Sequence, residues 1–279
     1  MSPSQLDLLR AHGIRPVKRR GQNFLLDANL ARAIAADALA LGTAVLELGA
    51  GAGALTTPLL AAGATVTAVE VDRRLCGLLR QELGAEPRFR LLEADLQRLA
   101  WPEALDLAGS RPVVAGNLPY VLTSSVLFAL ADWRERIAGA VVMVQREVAD
   151  RVAAAPGQRD YGLLAALLRP IFTVQTVRTV PPEVFWPRPE VASAVVRLVP
   201  RDDAWPAGEY GGYRAVAKEL FGQRRKKVGT LLRTRFGLAA ADAAEAARAA
   251  GVDPHARPEE IAPEELRALA RALAGRPPR

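Results

Sequence analysis

Ala44-Val45-Leu46-Glu47-Leu48-Gly49-Ala50-Gly51-Ala52-Gly53 is the stretch on which the fold turns. Its first half is a short, mostly apolar run that reads as a strand over Ala44–Leu48. Its second half alternates glycine with alanine, and helical periodicity takes over at Leu55–Ala62. Glycine there lets the backbone turn through conformations closed to other residues and pass close to whatever lies beside it. The same strand-then-helix alternation continues outward. Strands are expected at Thr65–Glu70, Phe89–Leu92, Val113–Ala115, Ala140–Val144, Val174–Val177 and Ala194–Leu198. Helices are expected at Asn29–Leu41, Arg73–Leu83, Ser124–Ala131, Arg146–Ala153 and Leu163–Leu168. Short apolar strands alternating with helices predict an α/β fold with a mostly parallel sheet covered by helices on both faces. Ligands of such sheets sit beyond the carboxyl ends of the strands.

The 279 residues, half of them apolar, suffice for one large domain and a small one. A break is expected over Val199–Gly212, marked by Pro200, Pro206 and the Gly211-Gly212 pair. Beyond it only helices are expected, at Tyr213–Phe221, Val228–Phe236, Ala239–Ala250 and Pro263–Ala274. The expected organisation is a basic extension over 1–20, an α/β domain over 21–200 and a small all-helical domain over 201–279. No apolar run is long enough for a membrane span, and Met1–Arg20, ending in Lys18-Arg19-Arg20, lacks the apolar stretch of a signal peptide. One cysteine and two histidines provide neither a disulfide framework nor a metal site of the usual kinds. These features point to a soluble cytoplasmic protein, expected to be a monomer. The net charge of +7 permits an anionic partner such as nucleic acid.

Gly49, Gly51 and Ala54 fit a G-x-G-x-x-A fingerprint, and Glu70 follows about 20 residues on at a strand end, placed to accept from ribose hydroxyls. A nicotinamide dinucleotide and S-adenosylmethionine fit these residues equally. Asp95, just past the next strand, separates them: it can accept from an adenine amine of the same nucleoside, although a lone aspartate there also suits a helix cap. Acids at successive strand ends followed by Asn117 form the layout of a class I methyltransferase. A dehydrogenase, in contrast, lacks an obvious proton donor in a chain so poor in histidine. Upstream, Gly21-Gln22-Asn23-Phe24-Leu25-Leu26-Asp27 offers the amides of Gln22 and Asn23 to a polar ligand, with Phe24 and Leu25 as an apolar cover and Asp27 as a helix cap.

Asn117-Leu118-Pro119-Tyr120 follows the apolar run Pro112-Val113-Val114-Ala115, with Gly116 expected to allow a sharp turn. The four residues supply an amide oxygen, a backbone carbonyl, a rigid turn and an aromatic face. Adenine N6 is a poor nucleophile because its lone pair is delocalised. Acceptors at the Asn117 side chain and the Leu118 carbonyl can hold its two hydrogens, Pro119 sets the turn, and Tyr120 stacks on the base. Catalysis is then mainly orientation and electrostatics. The base must be flipped or unpaired to reach such a pocket. Phe185 is the candidate for a second stacking wall, with Trp186 as the alternative.

With these motifs in view, the chain resembles the ribosomal RNA adenine N6,N6-dimethyltransferase family, and within it the bacterial small-subunit enzymes. The resemblance is carried by Gly21–Leu25, Glu47–Gly51, Asn117–Tyr120, Gln145-Arg146-Glu147-Val148-Ala149 and Phe185–Val196. It implies dimethylation of two adjacent adenosines in a hairpin loop near the 3′ end of small-subunit RNA, with a role in subunit biogenesis. It also implies S-adenosylmethionine contacts from Asn23, Leu25, Gly49, Glu70, Asp95 and Asn117; Gln22 and Gly51 join this set as neighbours in the same motifs. Phe221-Gly222-Gln223-Arg224-Arg225-Lys226-Lys227 is similar to a segment of the small-subunit branch, and its Arg224, Arg225, Lys226 and Lys227 are expected to contact RNA phosphates. Two alternatives remain at this level: an assembly factor that acts mainly by binding immature small subunits, and a large-subunit adenine dimethylase.

Overall fold

The computed structural model describes residues 4–17 and 21–276. The expected basic run Lys18-Arg19-Arg20 therefore lies outside the described residues. The chain divides into two compact units, Met1–Ala149 with Thr173–Pro200, and Asp150–Phe172 with Arg201–Arg279.

In the first unit, α1 (Gln5–Ala11) is followed by β1 (Phe24–Leu25) and α2 (Ala28–Leu39). Then β2 (Ala44–Leu48), α3 (Thr56–Ala61), β3 (Thr65–Glu70), α4 (Arg73–Leu83) and β4 (Phe89–Glu93) alternate regularly. They lead into α5 (Trp101–Ala108), β5 (Val113–Asn117), α6 (Thr123–Asp132), β6 (Gly139–Gln145) and α7 (Arg146–Ala153). After α8 (Leu163–Leu168), the strands β7 (Phe172–Val180), β8 (Phe185–Trp186) and β9 (Ser193–Pro200) complete the set. Seven strands form one sheet in the order β4-β3-β2-β5-β6-β9-β7, and β1 pairs with β8 in a separate two-stranded ribbon. The pairs β4-β3, β3-β2, β2-β5 and β5-β6 are parallel, whereas β9 runs antiparallel to β6. The chain winds outward from β2 in one direction and from β5 in the other, so the topological switch point lies between these two strands.

Local chemistry accounts for the elements around that point. The Asp27 side chain accepts from the backbone N–H groups of Asn29 and Leu30 and starts α2. The helix then buries Ala31, Ile34, Ala35 and Ala38, a single face at helical spacing. The central strands are buried except at one end residue each, as expected when helices cover both faces.

Gly116 needs a different explanation from the one read in the sequence. It lies inside β5, and a Cβ built on it would sit 2.4 Å from the Leu48 carbonyl oxygen. Glycine is required there by close approach of two strands rather than by a turn.

The second unit is helical: α8, then α9 (Ala207–Phe221), α10 (Val228–Phe236), α11 (Ala240–Ala249) and α12 (Pro263–Ala272). It begins earlier in the chain than the break near residue 200 implies. Leu163–Leu168 is as apolar as a sheet-covering helix, but Tyr210 and Tyr213 of α9 donate from their hydroxyls to the Leu167 and Ala166 carbonyls and tie α8 into this unit. Helix α9 also runs through Gly211-Gly212, which reads as a break in the sequence. Buried Tyr210, Tyr213, Val216, Ala217 and Leu220 hold it in place, overriding the weak helix propensity of glycine. Arg267 and Arg271 of α12 clamp Glu209 of α9 and hold its carboxyl down at about 2.

Candidate active site

A cleft of about 470 Å³ opens at the carboxyl ends of β2, β3, β4 and β5 in the first unit. Gln22, Asn23, Leu25, Gly49, Gly51, Glu70, Asp95, Asn117, Leu118, Pro119 and Tyr120 all line it. Sheet order explains how residues so far apart in sequence meet. Asp95, Glu70, Gly49 and Asn117 follow or end four strands that are neighbours in the sheet, so they form a row three inter-strand spacings long, roughly 14 Å.

Gly49, Gly51 and Gly53 have φ of 73°, 59° and 82°, the left-handed region that glycine enters without strain. The loop they shape is held from within. The N–H groups of Gly49 and Ala50 both donate to the Val69 carbonyl, at 2.9 and 3.1 Å. The N–H of Gly51 donates to Glu70 Oε2 at 2.8 Å. Glu70 Oε1 accepts from the N–H groups of Val71 and Asp72, both at 2.9 Å. Three backbone donors thus aim the Glu70 carboxylate, which as an ion with about four lone-pair directions can still accept from a ribose hydroxyl.

This arrangement tests the two cofactor classes. A dinucleotide needs loop N–H groups for its pyrophosphate, yet those of Gly49, Ala50 and Gly51 are already committed. A nucleoside without phosphate needs only a close-lying backbone and acceptors beside it, which is what this loop and the row of acids provide.

Asp95 makes the cap read for it in the sequence and stands in the cleft. Its Oδ1 caps the following turn by accepting from the Gln97 N–H at 2.9 Å, while the residue lines the cleft beside Leu96 and Gln97. Asn117 is oriented by a long-range contact: its Nδ2 donates to the Asn23 carbonyl at 2.9 Å. Because a carbonyl only accepts, this contact fixes the flip of the carboxamide and leaves Oδ1 as its acceptor. The tetrapeptide backbone is pinned as well, with Leu118 N–H donating to the Met143 carbonyl at 3.1 Å and Leu122 N–H to the Pro119 carbonyl at 2.9 Å. The Gln22 carboxamide is engaged elsewhere, its Oε1 accepting from the Val17 N–H at 2.9 Å.

Phe185 is not among the residues that line the cleft. Register places it opposite Leu25 in the β1–β8 ribbon, 4% exposed within the main core and outside the cleft lining. Trp186 lies outside the lining too; it stacks on Phe24 with ring centroids 6.3 Å apart. Pairing of β8 with β1 sets the burial of Phe185 and joins residues far apart in sequence.

One cleft residue carries no role in the sequence reading although it stands in the opening stretch. Glu47 is 1% exposed, and its Oε2 accepts from Thr56 Oγ1 at 2.6 Å. Burial, reinforced by the nearby Glu70 carboxylate, pushes its carboxyl up to about 8 despite the Thr56 hydrogen bond. An acid inside an apolar strand is the signal that marks such a residue. Among the described residues no group of histidine, cysteine and acidic side chains is arranged to hold a metal ion, and no helix is long and apolar enough to cross a membrane.

In the second unit, Arg224, Arg225, Lys226 and Lys227 are all exposed between α9 and α10. Arg224 is partly occupied within the unit, donating to the Tyr161 carbonyl at 2.8 Å.

The sheet order, with acceptors at successive strand ends, makes this a class I methyltransferase, a class whose methyl donor is S-adenosylmethionine. The chain belongs to the ribosomal RNA adenine dimethylase family, whose model matches residues 15–274. It is 44% identical to ribosomal RNA small subunit methyltransferase A of Anaeromyxobacter sp. (strain K), over 97% of this chain and 98% of that protein. The protein of the same description from Myxococcus xanthus is 42% identical, over 97% and 95%. Among solved structures, a 23S rRNA methyltransferase aligns with a TM-score of 0.64 at 27% identity, over 90% of this chain and 99% of that one. A dimethyladenosine transferase from Plasmodium falciparum aligns at 0.73 and 20% identity, over 88% and 95%, a likeness of fold.

Proposed function

We propose that this protein dimethylates N6 of two adjacent adenosines in a hairpin loop near the 3′ end of small-subunit ribosomal RNA, as a step in small-subunit biogenesis. Its relatives of more than 40% identity over nearly their whole length are described as small-subunit enzymes, which favours this substrate over large-subunit RNA. The observation that carries the chemistry is Asn117, whose amide nitrogen is held by the Asn23 carbonyl. The amide oxygen is thereby presented at the end of a row of nucleoside acceptors.

S-adenosylmethionine, when bound, supplies an electrophilic methyl group on a sulfonium that leaves as a neutral thioether. Glu70 and Asp95 would hold its ribose and adenine, with Gly49 and Gly51 beneath and Leu25 as apolar cover. Asn117 Oδ1 and the Leu118 carbonyl accept the two N6 hydrogens of the target adenine and orient the nitrogen lone pair, while the Tyr120 ring stacks on the base. Fixed acceptors of this kind lower the barrier because they need not reorganise during the reaction. After transfer the nitrogen carries an acidic proton that solvent can take, so the chain needs no strong base. Arg225, Lys226 and Lys227, with the remaining capacity of Arg224, would engage RNA phosphates. The reading includes a methyltransferase domain and a helical domain in one cytoplasmic monomer.

The test is incubation with labelled S-adenosylmethionine and immature small subunits lacking the modification. Label is expected as N6,N6-dimethyladenosine. No label on adenosine, with a known enzyme working in parallel, sinks the proposal.

A further inference from the structure

The tyrosine of the tetrapeptide is tethered at its far end. Tyr120 OH and Ser193 Oγ lie 3.1 Å apart, a hydrogen bond between groups 73 positions apart in sequence. Ser193 is 1% exposed, a small polar residue in a strand whose other inward positions are apolar. Its place follows from the antiparallel strand. In the parallel strands the catalytic edge receives carboxyl ends, but β9 runs the other way, so its first residue arrives at that edge. The register sets Ser193 opposite Gln145 at the end of β6, and the Arg146 N–H pins the neighbouring Ala192 carbonyl at 3.0 Å. The near end of Tyr120 is held independently, its carbonyl accepting from the Thr123 N–H and the preceding Pro119 fixing the turn.

We infer that Ser193 is a positioning residue for the transfer reaction, holding the Tyr120 ring by its hydroxyl in the orientation that stacks on the target base. This rests on the stacking role proposed above for Tyr120. A tyrosine side chain has two rotatable torsions, and stacking needs one ring orientation out of several staggered ones. Fixing the hydroxyl selects that orientation before substrate arrives, so the ordering is not left to the moment of binding. Ser193 itself touches neither substrate nor cofactor in this scheme, and it does not line the cleft.

The experiment is a double-mutant cycle in the full-length protein, with immature small subunits and labelled S-adenosylmethionine. Ser193→Ala is expected to lower kcat by about three- to tenfold, the range of one neutral hydrogen bond, with affinity for S-adenosylmethionine unchanged. Tyr120→Phe, which keeps the ring and loses the hydroxyl, should do the same. The double variant should be no slower than either single one, because both remove the same bond. If Ser193→Ala slows the Tyr120→Phe protein as much as it slows the wild type, Ser193 acts by packing alone and the inference is overturned. Should Ser193→Ala fail to fold, Ser193→Cys, close in volume and a weaker donor, takes its place in the same cycle. Tyr120→Ala separates the two levels of the reading. A loss far larger than that of Tyr120→Phe supports the stacking role. An equal loss removes that role, and the positioning inference with it.

Discussion

Replacing Glu47 with glutamine should change how stability depends on pH, not only its value. The wild-type carboxyl is buried in β2 between Ala68 of β3 and Ala115 of β5, accepts from Thr56, and is pushed from 4.5 up to about 8. Burial is the main cause, since ionisation would place a charge where water cannot reach it, and the Glu70 carboxylate adds repulsion. The folded protein therefore keeps a proton that the unfolded chain releases. Between pH 4.5 and 8 the native state binds more protons, so stability falls as pH rises. The contribution is fully present below about 4.5 and is lost as pH climbs through 8. At about 1.4 kcal/mol per unit, the loss between pH 5 and pH 8 amounts to roughly 3 to 4 kcal/mol. Glutamine is neutral at every pH and can still accept from Thr56. Urea unfolding of the cofactor-free protein, followed by tryptophan fluorescence at constant ionic strength from pH 5 to 8, checks this. Contributions from groups away from position 47 are common to both proteins and drop out of the difference. The two proteins should be similar in stability near pH 5, with the variant progressively ahead toward pH 8. A difference that stays constant across the range would mean that Glu47 is ionised throughout and would refute the reasoning.

Three other outcomes are expected. Asn117→Ala should lower kcat by about a hundredfold or more while the dissociation constant for S-adenosylmethionine, read by calorimetry, rises less than about tenfold; equal losses in both would contradict its role toward the base. Gly116→Ala, which puts a methyl group 2.4 Å from the Leu48 carbonyl oxygen, should lower Tm by several degrees or prevent folding, as overpacking of about 1–3 kcal/mol or more requires, and an unchanged melting curve would show that the strands can part without penalty. Reversing Arg225 and Lys226 to glutamate should weaken RNA binding steeply and flatten its dependence on salt by about one unit of slope for each phosphate no longer neutralised; unchanged binding in filter assays would move the RNA surface elsewhere.

Much of the fold is legible before any coordinates. The strand Thr65–Glu70 and the helix Arg73–Leu83 have the bounds their residues announce, because apolar runs and helical spacing are local signals. Helix α1 is harder to see: it lies in a polar stretch, and its start depends on the Ser4 side chain accepting from the Asp7 N–H. Helix α5 begins with Trp101-Pro102, where proline looks like a breaker but sits at the first turn, a position it tolerates. The assignment of α8 to the second unit depends on the Tyr210 and Tyr213 hydroxyls, which no local pattern reveals.

By itself, the sequence determines that this chain is a methyltransferase of the ribosomal RNA adenine dimethylase family. Glycine loop, acid, acid and Asn-Leu-Pro-Tyr at the ends of successive strands can be read off in order, since each motif is contiguous and carries its own chemistry. Tertiary structure alone decides which atoms of those residues are available. The Asn23 carbonyl sets the flip of Asn117, three backbone N–H groups aim Glu70, strand pairing withdraws Phe185 into the core, and the antiparallel β9 brings Ser193 to Tyr120. These contacts join positions from neighbours in the chain to a strand pair, Leu25 and Phe185, on opposite sides of most of the sheet's sequence. Hydrogen bonds and burial depend on distance in space, and only the folded sheet sets that distance.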